Sequence, residues 1–195
     1  MTGRKASSKS IKRDGRKENG QSSVSAKRMN KIRQNIYKET LRHVDHDIGM
    51  TNVMLNRMAK RLCPNLYRGL YTMYKLKSIS FRPPFSIIVN VGQHFVTAYV
   101  TKEYILYFDS YGRKCCITEE MCDFLTKYNC PVYYNKSKLQ SATSTHCGLY
   151  ALLFAAYVDL ARKPFELFFY TRAGKKNDEL CKLYLQKIVD HVNMQ

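Results

Sequence analysis

Residues 149–163 read LYALLFAAYVDLARK. The run is rich in Ala and Leu, carries no glycine or proline, and continues for about four turns, which predicts a buried helix rather than a strand. Pro164 stops it, and Ser144 or Thr145 is placed to cap its start. The preceding stretch, QSATSTHCG over 140–148, therefore sets Cys147 in the first turn. A thiol there lies near unpaired backbone N–H groups and the positive end of the helix dipole. Both stabilise negative charge, the form in which sulfur is a nucleophile. A cysteine on an apolar segment is ordinarily a small core residue, and the other six cysteines keep that reading.

A nucleophilic cysteine needs a base, and usually a third group that orients the base. Of the five histidines, His43 and His46 lie in a charged stretch, His191 lies near the C-terminus, and His146 adjoins the cysteine itself. His94 stands apart within FSIIVNVGQHFVTAYV, residues 85–100. Two apolar, β-rich runs flank Gly92 and Gln93, which predicts a tight connection that presents His94 at the start of the second strand. A third strand, in EYILYFDSYG over 103–112, ends at Asp109 before a Ser-Tyr-Gly turn. Asp at a strand end is commonly only a turn former. Adjacent strands would nevertheless set Asp109 beside His94, where a carboxylate fixes the tautomer and stabilises the imidazolium. Gln140, in the loop before the helix, is placed to donate its amide to a developing oxyanion together with the backbone N–H of Cys147.

The ordered set His94, Asp109, Gln140, Cys147, with HF at 94–95, FDSYG at 108–112 and Q-x6-CGLYAL from 140, resembles the adenain family of viral processing proteases. The wider clan also holds proteases that cleave ubiquitin-like modifiers. The resemblance covers about 81–165, and its strongest element is the Q-x6-C-G block. It implies an adenain-like cysteine-protease fold, with His94 as general base, Asp109 as orienting carboxylate, Gln140 as oxyanion donor and Cys147 as nucleophile. Two departures stand out. Phe95 follows the histidine where the family commonly has Trp, and the chain has no Trp at all. Adenain has Glu at the place of Asp109, although Asp is usual in the wider clan. The order His, Asp, Gln, Cys also differs from papain-type enzymes, in which the cysteine precedes the histidine.

At 195 residues and 45% hydrophobic content, the chain is long enough for one domain with a core. We expect a basic, disordered tail over 1–35 and a single protease domain over 36–195. The tail carries 11 Lys and Arg against Asp14 and Glu18, about half of the net charge of +18, and too little apolar surface to fold alone. No apolar segment follows its charges as in a secretory signal, and no run of eighteen apolar residues suggests a membrane span, so we expect an intracellular chain. Such positive charge attracts polyanions, and IKRDGRK and AKRMNKIR have the look of nuclear-import signals. The resemblance adds DNA as a cofactor and guide, and a virion and host-nucleus location.

Between tail and core, Met50, Val53, Met54, Met58 and Leu62 recur near helical spacing, with Thr51 or Asn52 at the start and Pro64 past the end. This predicts a core-packed helix, followed by a half-buried strand or loop in YRGLYTMYKLKSIS. Cys115, Cys116, Cys122 and Cys130 form no C-x-x-C pair, so no metal site is expected. The resemblance assigns Cys130 one special role, attachment of an activating peptide through a disulfide. From Asn177 to Met194, Leu180, Leu183, Tyr184, Leu185, Ile188 and Val192 predict an amphipathic helix over one face of the sheet.

The expected fold is α+β. A small mixed sheet carries His94 and Asp109, with a helix around 117–128, an edge strand near 131–134 and a central nucleophile helix. The expected activity is that of a cysteine endopeptidase acting on viral or virus-derived precursor proteins, with no metal or small-molecule cofactor. The alternatives are a protease for ubiquitin or ubiquitin-like modifiers, which uses the same site, and a basic nucleic-acid-binding structural protein without catalysis.

Overall fold

The computed structural model describes residues 49–114, 118–161 and 173–194, all within the unit Ile36–Gln195. The basic tail, Cys115, Cys116, Pro164 and most of the segment after the nucleophile helix lie outside these residues.

Helix α1, Asn52–Leu62, starts where Thr51 accepts a hydrogen bond from the Met54 N–H at 3.3 Å, a cap that contributes about 1 kcal/mol. Its buried stripe is Leu55, Met58, Ala59 and Leu62, with Met50 buried just ahead of it. Val53, counted in that stripe from spacing alone, is 78% exposed. Val53 falls on the outward face of the helix, while Leu55 and Ala59 turn to the core. Pro64 follows the helix, as predicted. The tyrosine-rich segment then divides into strand β1, Tyr67–Thr72, and a 3-10 helix, Met73–Ser78.

The sheet continues with β2, Phe85–Asn90, β3, Phe95–Val100, β4, Ile105–Phe108, and β5, Val132–Tyr134. Its five strands lie in sequence order. The β1–β2 and β4–β5 pairs are parallel, and β3 is antiparallel to both β2 and β4, so the sheet is mixed, with β5 at one edge. Helix α2, Glu119–Thr126, precedes β5 and is capped by Thr118.

Side-chain alternation sorts the strands onto two cores. On one face Phe85, Ile87, Val89, Val96, Ala98, Val100, Ile105 and Tyr107 meet Leu76 and the α2 residues Met121, Phe124 and Leu125. On the other, Ile88, Phe95, Tyr99 and Phe108 meet α1 and helix α3, Cys147–Ala161. Because β2 and β3 are covered on both faces, they read as nearly continuous apolar runs. Helix α3 is buried on almost every side from Gly148 to Ala156, which explains why its sequence lacks a polar stripe.

The last helix, α4, spans Lys175–Met194 and starts two residues before the expected Asn177. Its fully buried line is Cys181, Leu185 and Val189, whereas Leu183 is 47% exposed. It packs chiefly on α3 and α1 and not, as expected, over the sheet itself. One face of the sheet is covered by α1 and α3 and the other by α2 and the 3-10 helix. Among the described residues no helix is long and apolar enough to cross a membrane.

Candidate active site

Two contacts hold the nucleophile helix against the strands that carry the other candidate residues. The Thr97 hydroxyl on β3 donates to the Ala151 carbonyl on α3 at 3.0 Å. On β4, Phe108 stacks on Phe154 of α3, with centroids 4.8 Å apart and planes 7° apart. Gly148 brings α3 close to the start of α1, since a Cβ there would lie 3.1 Å from Met50. The N-terminus of α3, where Cys147 is the first helical residue, is thereby set toward the start of β3 and the end of β4.

His94 immediately precedes β3. The turn that presents it is closed by the Val91 N–H donating to the His94 carbonyl at 2.9 Å, with Gly92 at φ +102°. Asp109 immediately follows β4. His94 Nε2 and Asp109 Oδ1 are 2.7 Å apart, and both side chains are buried. The same Oδ1 also accepts from the Tyr111 N–H at 2.8 Å, the short turn that follows a strand-end Asp. Asn135 holds the Asp109 backbone from both sides: its Oδ1 accepts from the Asp109 N–H at 2.9 Å and its Nδ2 donates to the Asp109 carbonyl at 2.6 Å. The carboxylate that faces His94 is thus also part of the turn's own hydrogen bonding.

Cys147 lies near the His94 side chain and acts on it electrostatically. Burial alone pulls the His94 pKa down, but the Asp109 hydrogen bond and the charges of Asp109 and Cys147 outweigh it and raise the value from 6.5 to about 9. Imidazolium is therefore the favoured form at neutral pH. Tyr111 stacks on the other part of the imidazole, with centroids 4.9 Å apart and planes 28° apart. Extending the β3–β4 register three residues beyond the Thr97–Phe108 pair sets Tyr111 opposite His94.

Gln140 is wholly buried. Its N–H donates to the Ser110 carbonyl at 3.0 Å, and its side-chain carbonyl accepts from the Ser110 hydroxyl at 2.7 Å. Its amide nitrogen donates to the Ser144 carbonyl at 2.7 Å. The same nitrogen also donates to the Ser144 hydroxyl at 3.4 Å, so the amide braces the loop that leads to Cys147. The Ser144 hydroxyl meets the His146 N–H at 3.1 Å and His146 Nδ1 at 2.6 Å, so Ser144 shapes the turn immediately before the helix.

That loop is held from outside by Asp178, in the first turn of α4. Its Oδ1 accepts from the Tyr150 hydroxyl at 3.0 Å and from the Ser141 N–H at 3.4 Å, and its Oδ2 lies 4.0 Å from His146 Nδ1. Asp178, Asn135 and Tyr111 were not singled out by the sequence reading. Tyr111 had a legible signal, its place two residues after a strand-end Asp; Asn135 and Asp178 had none.

Cys130 is half-buried, and its thiol faces the carbonyls of Tyr128 at 3.1 Å and Lys102 at 3.2 Å. Lys102 follows the far end of β3, so Cys130 lies at the opposite end of the sheet from His94. Among the described residues, no group of three or more His, Cys, Asp or Glu side chains is placed to hold a metal ion.

No family model matches the chain, and no curated protein matches it. Among solved structures, it is similar to the central domain of the uncharacterized Lpg1148 protein from Legionella pneumophila, with 13% identity and a TM-score of 0.48 over 75% of this chain and 99% of that one.

Proposed function

We propose that this protein is a cysteine endopeptidase of the adenain type, acting on viral or virus-derived precursor proteins during particle maturation. The observation that carries the reading is the 2.7 Å pairing of Asp109 Oδ1 with His94 Nε2, with Cys147, the first residue of a buried helix, near enough to act on the same imidazole. This is the acid, base and nucleophile order that acyl transfer requires.

In the proposed mechanism His94 takes the Cys147 proton, or the two rest as an ion pair, with Asp109 holding the ring in register. The sulfur attacks the substrate carbonyl carbon, and the carbonyl electron pair moves to oxygen. The Gln140 amide, on giving up its longer contact with the Ser144 hydroxyl, and the N–H groups of the first turn of α3 receive that oxyanion. Collapse of the intermediate breaks the C–N bond, and the His94 proton passes to the departing amine. Water then attacks the thioester while His94 takes its proton, and the acid product leaves with the thiolate restored.

Charge supports a second element of the reading, association with DNA: the chain carries +18, about half of it in the first 35 residues. The activating cofactors proposed are DNA and a peptide attached at Cys130, and the proposed setting is the virion and the host nucleus.

Selective alkylation tests the nucleophile. Cys63 and Cys181 are buried, and burial pushes both thiols well above their ordinary range, so iodoacetamide at neutral pH spares them. Cys122 and Cys130 are half-buried like Cys147 and serve as controls. Cys147 is expected to react first, with loss of peptidase activity; equal rates at these three thiols count against the enzyme. Incubation with a viral polyprotein library and with ubiquitin-like probes, with and without DNA, then identifies the substrate. DNA-dependent precursor cleavage supports the proposal, and DNA-independent cleavage of a modifier assigns the site to the modifier proteases instead.

A further inference from the structure

Tyr111 carries no step of the proposed mechanism, yet it forms a wall of the site through its stack on His94. Two cations converge on the same ring. The Arg113 guanidinium carbon lies 5.1 Å from its centroid and the Lys138 ammonium 5.3 Å. Arg113 follows β4, whereas Lys138 belongs to the loop before Gln140. Gly112 shows how tightly the two loops pack: a Cβ on it would lie 2.7 to 2.8 Å from backbone atoms of Ser137 and Lys138.

Both cations are exposed, and among the described residues no carboxylate pairs with either. The nearby acids are already engaged. Asp109 is buried against His94, and Asp178 is buried against Tyr150 and Ser141. Lys114 and Lys136, also exposed, add positive charge on the same two loops. In a chain with 33 Lys and Arg against 15 acids, scattered exposed lysines mean little. Here two separate loops bring their cations onto one aromatic ring, and that ring is the neighbour of the proposed base. A cation over a tyrosine face is held by the ring quadrupole and so is partly pre-positioned.

Ring-to-ring and ring-to-cation distances of 4.9, 5.1 and 5.3 Å keep each cation within about 10 Å of the imidazole. That reach equals about three residues of extended chain. We propose that Arg113 and Lys138 form a cationic subsite that selects polypeptide substrates carrying Asp or Glu within about three residues of the scissile bond. The inference rests on the cysteine-protease reading. Phosphates would also suit these cations, but a duplex seated over Tyr111 would close Cys147 to a polypeptide, which favours an acidic peptide as the occupant.

The test is digestion of a proteome-derived peptide library by the full chain, with cut sites read by mass spectrometry, alongside a Cys147→Ala control. Asp and Glu are expected to be enriched about fivefold within three residues of the cuts. In R113E/K138E the preference should invert toward Lys and Arg. The single neutral variants R113Q and K138Q, which disturb folding least, should each lose about half of the enrichment. Cys147-dependent cleavage without acid preference, or a preference unmoved in the variants, overturns the subsite and leaves the protease reading standing. If R113E/K138E weakens binding to a short DNA duplex while the acid preference stays, the cations serve nucleic acid and the subsite is likewise overturned. Absence of any Cys147-dependent cleavage, with Cys147 alkylated no faster than Cys122 and Cys130, removes the protease reading and the subsite with it.

Discussion

Two histidines flank Cys147, and each lies near a buried carboxylate. His94 is 2.7 Å from Asp109, comes from the start of a strand, and lies near enough to Cys147 to be influenced by it electrostatically. His146 is the covalent neighbour of Cys147, but its Nδ1 meets the Ser144 hydroxyl at 2.6 Å and lies 4.0 Å from Asp178. Asp178 in turn is shared with Tyr150 and Ser141. In the proposed reading the first pair holds a ring for proton transfer; the second braces the loop and helix that carry Cys147. Adjacency along the chain therefore says little about chemical role, because the helix start turns the residue before Cys147 into a brace.

The largest expected effect tests that division directly. His94→Ala should lower kcat/KM by about 10⁴-fold or more, and combining it with Cys147→Ala should add little, since the two act as a unit. His146→Ala should cost no more than about tenfold in kcat. Steady-state kinetics that show the reverse order would break the comparison. Next comes Asp109→Asn, expected to lower kcat by about 10²- to 10⁴-fold because the ring loses its orienting charge.

The same variant has a pH signature. With its pKa raised from 6.5 to about 9, folded His94 holds its proton more tightly than the unfolded chain does. The resulting stability is fully present below pH 6.5 and is lost as pH rises through about 9. Asp109→Asn should flatten that slope in thermal melts and move the alkaline limb of kcat/KM toward lower pH. A limb that stays in place would assign it to a group other than His94.

Smaller effects sharpen how each pair is supported. Gly112 has φ +66°, and an added Cβ would collide with the Ser137 backbone at 2.7 Å, so Gly112→Ala should destabilise by about 2 to 4 kcal/mol, read by chemical denaturation. Asp178→Asn should cost about 1 to 3 kcal/mol and several degrees in Tm, with a loss in kcat well below that of Asp109→Asn. Equal catalytic losses from the two Asp variants would mean that the pairs share one role.

Local pattern carried much of this. The apolar run from Leu149 announced the buried helix, and a strand-end Asp109 and turn-borne His94 were legible because alternation and turn chemistry act over a few residues. The Thr51 cap and the edge strand at Val132–Tyr134 followed the same local rules. Where the expectation missed, at Val53, at Leu183 and in the placement of α4, burial depended on which neighbours pack against each helix in the folded chain. Spacing along one helix does not contain that information.

For the site, residue types and chain order were enough to nominate His94, Asp109, Gln140 and Cys147. The 2.7 Å approach of His94 to Asp109, the Asn135 clamp on the Asp109 backbone and the Asp178 brace on the Cys147 loop arise only when segments 15, 26 and 37 residues apart are packed together. Hydrogen bonds of that kind fall off within tenths of an ångström, whereas sequence patterns are blind to anything finer than a helical or strand repeat.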